Sequence, residues 1–213
     1  PRSTLSSSSA ASDVYKRQGA YSTFANKGIY IKPIIITRIE DKNGTILFEV
    51  IPETTDVLSE ESAYVTINLL KGVTEEGSGM RLRHEGAEVS NLVFQNVVTG
   101  YPYKFENPIA GKTGTTQNQS DGWFMGMVPN LVTGVWVGGE DRSVHFEDIA
   151  FGQGATMALP IWAQYMKNAY LEEELNISSE NFPVPEAVSI PLDCASLRFD
   201  ISDENKDLKK LGF

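Results

Sequence analysis

A lysine and two threonines stand together near the middle of the chain, in the order Lys112, Thr113, Gly114, Thr115. Alternate side chains of a β-strand share a face, so Thr113 and Thr115 are expected to point one way and Lys112 the other. Two hydroxyls on one face can each donate a hydrogen bond to a carboxylate, and the glycine lets another chain approach the backbone. The lysine can steer an anion or keep a neighbouring hydroxyl ready to pass protons. This pattern predicts acyl transfer on an extended peptide that ends in a carboxylate.

The short pattern alone allows two other interpretations. A Lys-Thr-Gly sequence arises by chance in about 5% of chains of this length, and a strand end with surface threonines would then explain it. Gly111, Lys112 and Thr113 also match the end of a phosphate-binding loop, but that loop needs a glycine where Glu106 stands. The phosphate-binding interpretation is therefore rejected, and the flanking sequence must decide between a strand end and a site.

Composition excludes several other functions. The net charge of −10 argues against nucleic-acid binding, because surfaces that bind nucleic acids are basic. The single cysteine, Cys194, excludes an internal disulfide, and the isolated His84 and His145 do not predict a metal site. We expect no cofactor and no metal. No run of about 18 apolar residues occurs that could span a membrane.

The first half of the chain is expected to form two helices and a hairpin. A helix is predicted to end just before Gly28, and a strand to cover residues 30–40. Asn43 and Gly44 predict a two-residue turn into a return strand. Ser59 can cap a second helix whose buried face comprises Ala63, Ile67, Leu70 and Val73, and which closes at Gly77.

The second half is expected to supply the main sheet. Strands are predicted over residues 109–115, 123–128 and 131–137, the last two joined by a turn at Pro129 and Asn130 and covered on both faces. Gly152 and Gly154 are assigned to a loop, and Pro160 to the start of a helix with Ile161, Tyr165 and Ala169 on one stripe and Trp162 and Met166 beside it. Trp123, Trp136 and Trp162 are expected in the core. Asp121 is expected either to position the loop after the Lys-Thr-Gly strand or to lie in a turn. The prediction is an α+β fold, an antiparallel sheet packed with helices.

We divide the chain into three parts. Residues 1–18 are Ser-rich and without helical or strand period, and we interpret them as a non-native or linker leader. Residues 19–171 carry the predicted elements. Residues 172–213 form an acidic, Pro-containing tail that is expected to lie on the surface or to be mobile, with Cys194 as a spare thiol.

Residues 19 to about 170 resemble the C-terminal part of the transpeptidase domain of class A, bifunctional penicillin-binding proteins of the 1A type. The resemblance implies the fold shared by these transpeptidases and serine β-lactamases, here incomplete. The motifs that carry it are GAYSTFANKG (19–28), GSG (77–79) with Arg81 and Arg83, KTGTT (112–116), DGWFMG (121–126), VWVG (135–138) and ALPIW (158–162).

The resemblance implies a role for each residue of the central motif. Thr113, Gly114 and Thr115 would bind the substrate or a β-lactam, with the two threonines holding its carboxylate. The backbone N–H of Thr115 would form half of the oxyanion hole, and Lys112 would lie near the serine of a second motif. The expected partners are peptidoglycan stem peptides and β-lactams. The parent protein would carry a membrane anchor and a glycosyltransferase domain and act on the extracytoplasmic face of the bacterial cytoplasmic membrane.

Two motifs of this family are not found in the sequence. No serine is followed three residues later by lysine, so the nucleophile is expected outside these residues, in a missing N-terminal half of the same domain. The match Ser179-Glu180-Asn181 follows Lys112 instead of preceding it, and we interpret it as a chance surface match. The chain alone is expected to be inactive. A non-catalytic sensor that binds β-lactams or peptidoglycan remains the alternative, with a β-lactamase as a weaker one.

Overall fold

The computed structural model describes residues 14–83, 103–139 and 141–192. Four α-helices lie in these ranges: α1 (Val14–Ala25), α2 (Glu60–Glu75), α3 (Ile149–Gly152) and α4 (Gly154–Leu171). Seven strands accompany them: β1 (Ile29–Ile31), β2 (Arg38–Glu40), β3 (Ile46–Glu49), β4 (Thr54–Asp56), β5 (Ala110–Thr115), β6 (Asp121–Val128) and β7 (Leu131–Gly138). Helices with antiparallel sheets confirm the predicted α+β fold.

A three-stranded antiparallel sheet in the order β5-β6-β7 forms the centre. All eight residues of β6 are buried, because helices cover both of its faces. Helix α4 covers one face, where the Phe124 and Trp162 rings meet edge to face at 5.1 Å. Helix α1 lies on the other face, with the Arg17 guanidinium 4.4 Å from the centre of the Trp123 ring. The strand bearing Lys112 is thus held against a fully packed neighbour.

The strand boundaries predicted for the sheet are confirmed within two residues, including the turn at Pro129 and Asn130. The prediction that β7 is covered on both faces is wrong, since its residues are only half-buried or exposed. Trp136 is 36% exposed, so its assignment to the core is also wrong, whereas Trp123 and Trp162 are buried. The difference has a simple cause: among the described strands β7 has one neighbour, and β6 has two.

The single strand predicted over residues 30–40 is instead two short strands. β1 pairs with β4, and β2 pairs with β3 in a separate sheet. Pro33 lies between them and has no N–H to donate to a ladder. The predicted hairpin at Asn43 and Gly44 is present, but as a four-residue turn in which the Gly44 N–H bonds the Asp41 carbonyl at 3.1 Å. Gly44 has φ 85°, which a glycine adopts without cost.

Helix α2 begins as predicted. The Ser59 hydroxyl caps it by accepting a 3.1 Å bond from the Ser62 N–H, and Ala63 and Ile67 are buried. Helix α1 spans Val14–Ala25, so it begins within the stretch interpreted as leader and ends shortly before Gly28. The predicted start of α4 at Pro160 is wrong, because the helix starts at Gly154 with Pro160 inside it.

The face that α4 buries matches the prediction in part. Trp162, Met166 and Ala169 are buried as expected, whereas Ile161 and Tyr165 are about half exposed. The buried face is therefore centred on Trp162 and Met166 and not on the stripe through Ile161 and Tyr165.

The described part of the tail lies on the surface, as predicted. Phe182 is buried in a small cluster with Ile67, Ala110 and Met127. Farther on, Ser189 and Ile190 bond the carboxylate of Glu61 on α2. Cys194 and His84 lie outside the described residues. Within the described ranges, no helix is long and apolar enough to cross a membrane.

Candidate active site

Among the described strands, β5 has a partner on only one of its two edges. That partner is β6, and the Thr116 N–H continues this pairing by bonding the Asp121 carbonyl at 3.1 Å. Backbone groups alternate sides along a strand, so the N–H of Thr115 points to the opposite, open edge. The carbonyl of Ile109 faces the same edge and accepts a 2.6 Å bond from the Thr74 hydroxyl of α2. Helix α2 therefore closes one end of this edge and leaves the end with Thr115 accessible.

Thr113 and Thr115 share a face, as their spacing predicted. Their register partners on β6 are Phe124 and Gly122, and both threonines lie on the side that α4 covers. Lys112 pairs with Met125 and lies on the other side. Lys112 and Thr115 are exposed and Thr113 is half-buried. The short motif is thus a strand edge with hydroxyls on one face and an ammonium on the other.

Ser78 adds a third hydroxyl to this group. Its Oγ lies 2.6 Å from Oγ1 of Thr113, so one of the two hydroxyls donates to the other. The turn that carries Ser78 is fixed by backbone bonds on both sides, from the Gly77 N–H to the Gly72 carbonyl and from the Gly79 N–H to the Val73 carbonyl. The hydroxyl of Ser78 is therefore held at Thr113 by the end of α2.

Two arginines anchor this turn. Arg81 is buried and donates to the Ala155 carbonyl at the start of α4, at 3.2 Å. Arg83 donates to the carbonyls of Phe105 and Asn107, at 2.9 and 2.5 Å. Burial lowers the pKa of the Arg83 guanidinium, and the charge of Glu75 opposes that shift. Both guanidinium groups bond main-chain carbonyls, so both arginines stabilise the backbone around the site.

The side chain of Lys112 folds back and bonds the backbone of its own strand. Its Nζ donates to the Thr113 carbonyl at 2.8 Å, a group that faces the open edge. An ammonium has three protons, so two remain for other acceptors. The positive charge therefore sits at the open edge, beside the hydroxyls.

Comparison with known proteins decides the family. Residues 17–142 match the family described as "Penicillin binding protein transpeptidase domain". The chain belongs to this family. It is 36% identical over 168 residues to penicillin-binding protein 1A of Aquifex aeolicus, covering 78% of this chain and 20% of that protein. It is 32% identical over 139 residues to penicillin-binding protein 1A of Clostridium novyi, covering 65% of this chain and 14% of that protein.

A solved structure agrees with this assignment at the level of the fold. The crystal structure of penicillin-binding protein 1A from Haemophilus influenzae superposes with a TM-score of 0.61 at 23% identity. It covers 81% of this chain and 28% of that one. The chain thus spans about a fifth of the length of the relative from Aquifex aeolicus.

The loop after the transpeptidase strand is closed by Thr116. Its hydroxyl accepts from the Asp121 N–H at 3.0 Å and lies 3.0 Å from the hydroxyl of Ser120. Asp121 is 3% exposed, and its Oδ1 has no hydrogen-bond partner among the described residues. Of the two alternatives for Asp121, the turn is wrong, because the residue is the first, buried residue of β6.

The structure does not bring Ser179 to the site. The Ser178 N–H bonds Asn130, which lies in the turn after β6, while Thr115 pairs near the start of β6. These two ends are separated by a strand of eight residues, about 25 Å. The interpretation of Ser179-Glu180-Asn181 as a chance match is in line with this placement. Within the described ranges, no three His, Cys, Asp or Glu side chains are placed to hold a metal ion.

The sequence predicts no role for two residues of the candidate site. Ser78 belongs to a glycine-rich motif, and Gly154, which donates to the Thr115 hydroxyl at 3.0 Å, is expected in a loop. The signal for Ser78 was a hydroxyl between two glycines and two arginines. Nothing local marks Gly154, since its partner is 39 positions away.

Proposed function

We propose that the chain is the substrate-binding part of a serine D,D-transpeptidase, within a bifunctional peptidoglycan synthase of the 1A type. One observation carries the proposal: a single open strand edge presents the Thr115 N–H, the Thr113 and Thr115 hydroxyls and the Lys112 ammonium together. An extended peptide can pair with such an edge and align its scissile bond along it.

The proposed reaction has two steps. A serine in a part of the protein outside these residues attacks the penultimate D-Ala carbonyl of a stem peptide. The C–N bond to the terminal D-Ala breaks, the leaving amine takes up a proton, and an acyl-enzyme ester remains. The amine of a neighbouring stem peptide then attacks this ester, forms the cross-linking amide and regenerates the serine. A β-lactam would stop after the first step, because its ring opens without releasing a leaving group.

The hydroxyls of the site suit the carboxylate of the terminal D-Ala. Ser78, Thr113 and Thr115 carry three hydroxyl protons, one of which is used between Ser78 and Thr113. Thr115 accepts from Gly154, so its own proton is available. Two O–H donors thus remain, which matches the two oxygens of a carboxylate. The match between these two O–H donors and the two carboxylate oxygens supports a bound anion better than an ordinary strand end does.

The other two groups suit the reacting centre. The Thr115 N–H at the open edge is placed to donate to the oxyanion that develops in the tetrahedral intermediate. Lys112 would leave the Thr113 carbonyl and approach the serine of the second motif, where its charge favours proton transfer. We place this chemistry at the extracytoplasmic face of the cytoplasmic membrane. The relatives carry the name penicillin-binding protein 1A, which favours the synthase over a sensor.

The proposal is tested by labelling the full-length protein with a fluorescent penicillin. We expect the label on a serine outside these 213 residues, weaker labelling for Thr113→Ala, and unchanged labelling for Ser179→Ala. Labelling of the isolated chain, or full labelling after the nucleophile is removed, would contradict the proposal. A full-length protein that binds penicillin without forming a covalent adduct would favour the sensor.

A further inference from the structure

Helix α4 begins in direct contact with the strand that carries Thr115. The N–H of Gly154, its first residue, donates to Thr115 Oγ1 at 3.0 Å. The preceding residue, Gln153, provides no side-chain bond to the start of the helix. The Thr115 hydroxyl therefore supplies a cap that the helix otherwise lacks.

We propose that Gly154 is a positioning residue, whose N–H orients the Thr115 hydroxyl toward the carboxylate of the ligand. The inference rests on the proposed function, since it assumes that Thr115 binds this carboxylate. A threonine hydroxyl has one proton and two acceptor positions. Because the Gly154 N–H occupies one acceptor position, the proton must point away from Gly154, and Thr115 is exposed, so this proton can reach a ligand.

The helix also changes the strength of this hydroxyl as a donor. N–H groups at the start of a helix carry its positive partial charge, and α4 has 18 residues. A hydroxyl that accepts from such a group is polarised and becomes a better donor to an anion. The start of α4 thus acts on the carboxylate through Thr115, without touching it.

A glycine is required at position 154. A β-carbon there would overlap the carbonyl oxygens of Gly114 and Trp123, which are backbone atoms of paired strands. On the facing strand, a β-carbon at Gly122, the register partner of Thr115, would come within 3.0 Å of the Gly154 Cα. These two glycines let the helix start approach the sheet closely enough for one N–H to reach the hydroxyl.

The test compares two probes on the full-length protein: a fluorescent penicillin and its methyl ester, which lacks the anionic carboxylate. The ratio of their acylation rates cancels damage to the nucleophile or the oxyanion hole. We expect Gly154→Ala and Thr115→Ala each to lower the acid-to-ester ratio about tenfold, the usual scale for a hydrogen bond to a charged group. The double variant should lower it no further, because both changes remove the same interaction.

Gly152→Ala is the matched control. Gly152 is equally crowded, but its neighbours are the side chains of Gln119 and Phe146 and not the strand of Thr115. The acid-to-ester ratio of Gly152→Ala should equal that of the wild type. A Gly154→Ala variant that slows both probes equally would overturn the inference and leave the proposed function intact. A Thr115→Ala variant with an unchanged ratio would overturn both.

A second measurement needs no change at Gly154. In full-length Thr115→Val the Gly154 amide loses its acceptor, so hydrogen–deuterium exchange of a peptide spanning residues 149–158 should be faster than in the wild type. Unchanged exchange there would overturn the inference even if the Gly154 variant fails to fold.

Discussion

The hydroxyls of Ser78 and Thr113 lie 2.6 Å apart, although the two residues are 35 positions apart in the sequence. The contact joins the turn after α2 to the strand proposed to face the ligand. Because one hydroxyl donates its single proton to the other, only the accepting hydroxyl keeps a proton for a ligand, and the contact limits where that proton can point. The proposed carboxylate site thus draws on two segments of the chain.

Ser78→Ala should weaken acylation of the full-length protein by penicillin. Loss of a neutral hydrogen bond costs about 0.5–1.5 kcal/mol, a two- to tenfold fall in the rate. Ser78→Thr keeps the hydroxyl and should retain most of the rate. Stopped-flow labelling measures this, with Ser179→Ala as the unaffected control; equal rates for Ser78→Ala and the wild type would show that Ser78 does not act on Thr113.

Thr74→Val should destabilise the protein without altering the choice of ligand. The Thr74 hydroxyl is buried and bonds the Ile109 carbonyl at 2.6 Å, so the substitution leaves a buried acceptor without its donor. The expected loss is about 1–3 kcal/mol of unfolding free energy. Denaturant unfolding of the full-length protein measures it, with Thr66→Val as the control, because the Thr66 hydroxyl bonds the Ser62 carbonyl within α2 and not another element. An unchanged unfolding midpoint would contradict the inference that the Thr74–Ile109 hydrogen bond holds α2 against the start of β5.

The attachment of the tail should depend on pH. The Ser189 hydroxyl, followed by the N–H groups of Ser189 and Ile190, lowers the pKa of Glu61 below its usual value. A carboxyl whose pKa is lower in the folded state stabilises it above the unfolded pKa. That contribution is lost as the pH falls through the folded pKa. Limited proteolysis should therefore cut near residue 189 faster at acidic pH.

Glu61→Gln provides the control for this pH dependence. It should be cut readily at neutral pH and show little further change on acidification. A wild-type protein whose cleavage near residue 189 does not respond to pH would contradict this account of the tail.

Local sequence patterns predicted the elements that depend on near neighbours. The Ser59 cap and the turn at Pro129 and Asn130 involve residues a few positions apart, and the structure confirms both. The alternation that puts Thr113 and Thr115 on one face is likewise local, because it follows from strand geometry. Most of the main sheet and of the ligand-facing edge could therefore be predicted.

The features that sequence could not predict depend on distant contacts. The sequence predicts a loop at Gly154, yet this residue begins a helix that contacts a strand 39 positions earlier. Ser78 gained its role from Thr113, and Trp136 its exposure from the place of β7 in the sheet. In each case a residue or strand that is distant in the sequence decided a conformation, contact or exposure that the local pattern did not predict.

The central claim is tested most directly by measuring whether the protein prefers a peptide donor that ends in a carboxylate over one that ends in a neutral group. The full-length protein and its Thr113→Val variant are compared with a stem pentapeptide donor ending in D-Ala and with the same peptide ending in a carboxamide. The wild type should cross-link the carboxylate form much faster, and Thr113→Val should lose about tenfold with that form and little with the amide. Equal losses on both donors, or a wild type that does not distinguish them, would contradict the assignment of the β5 edge as the carboxylate site.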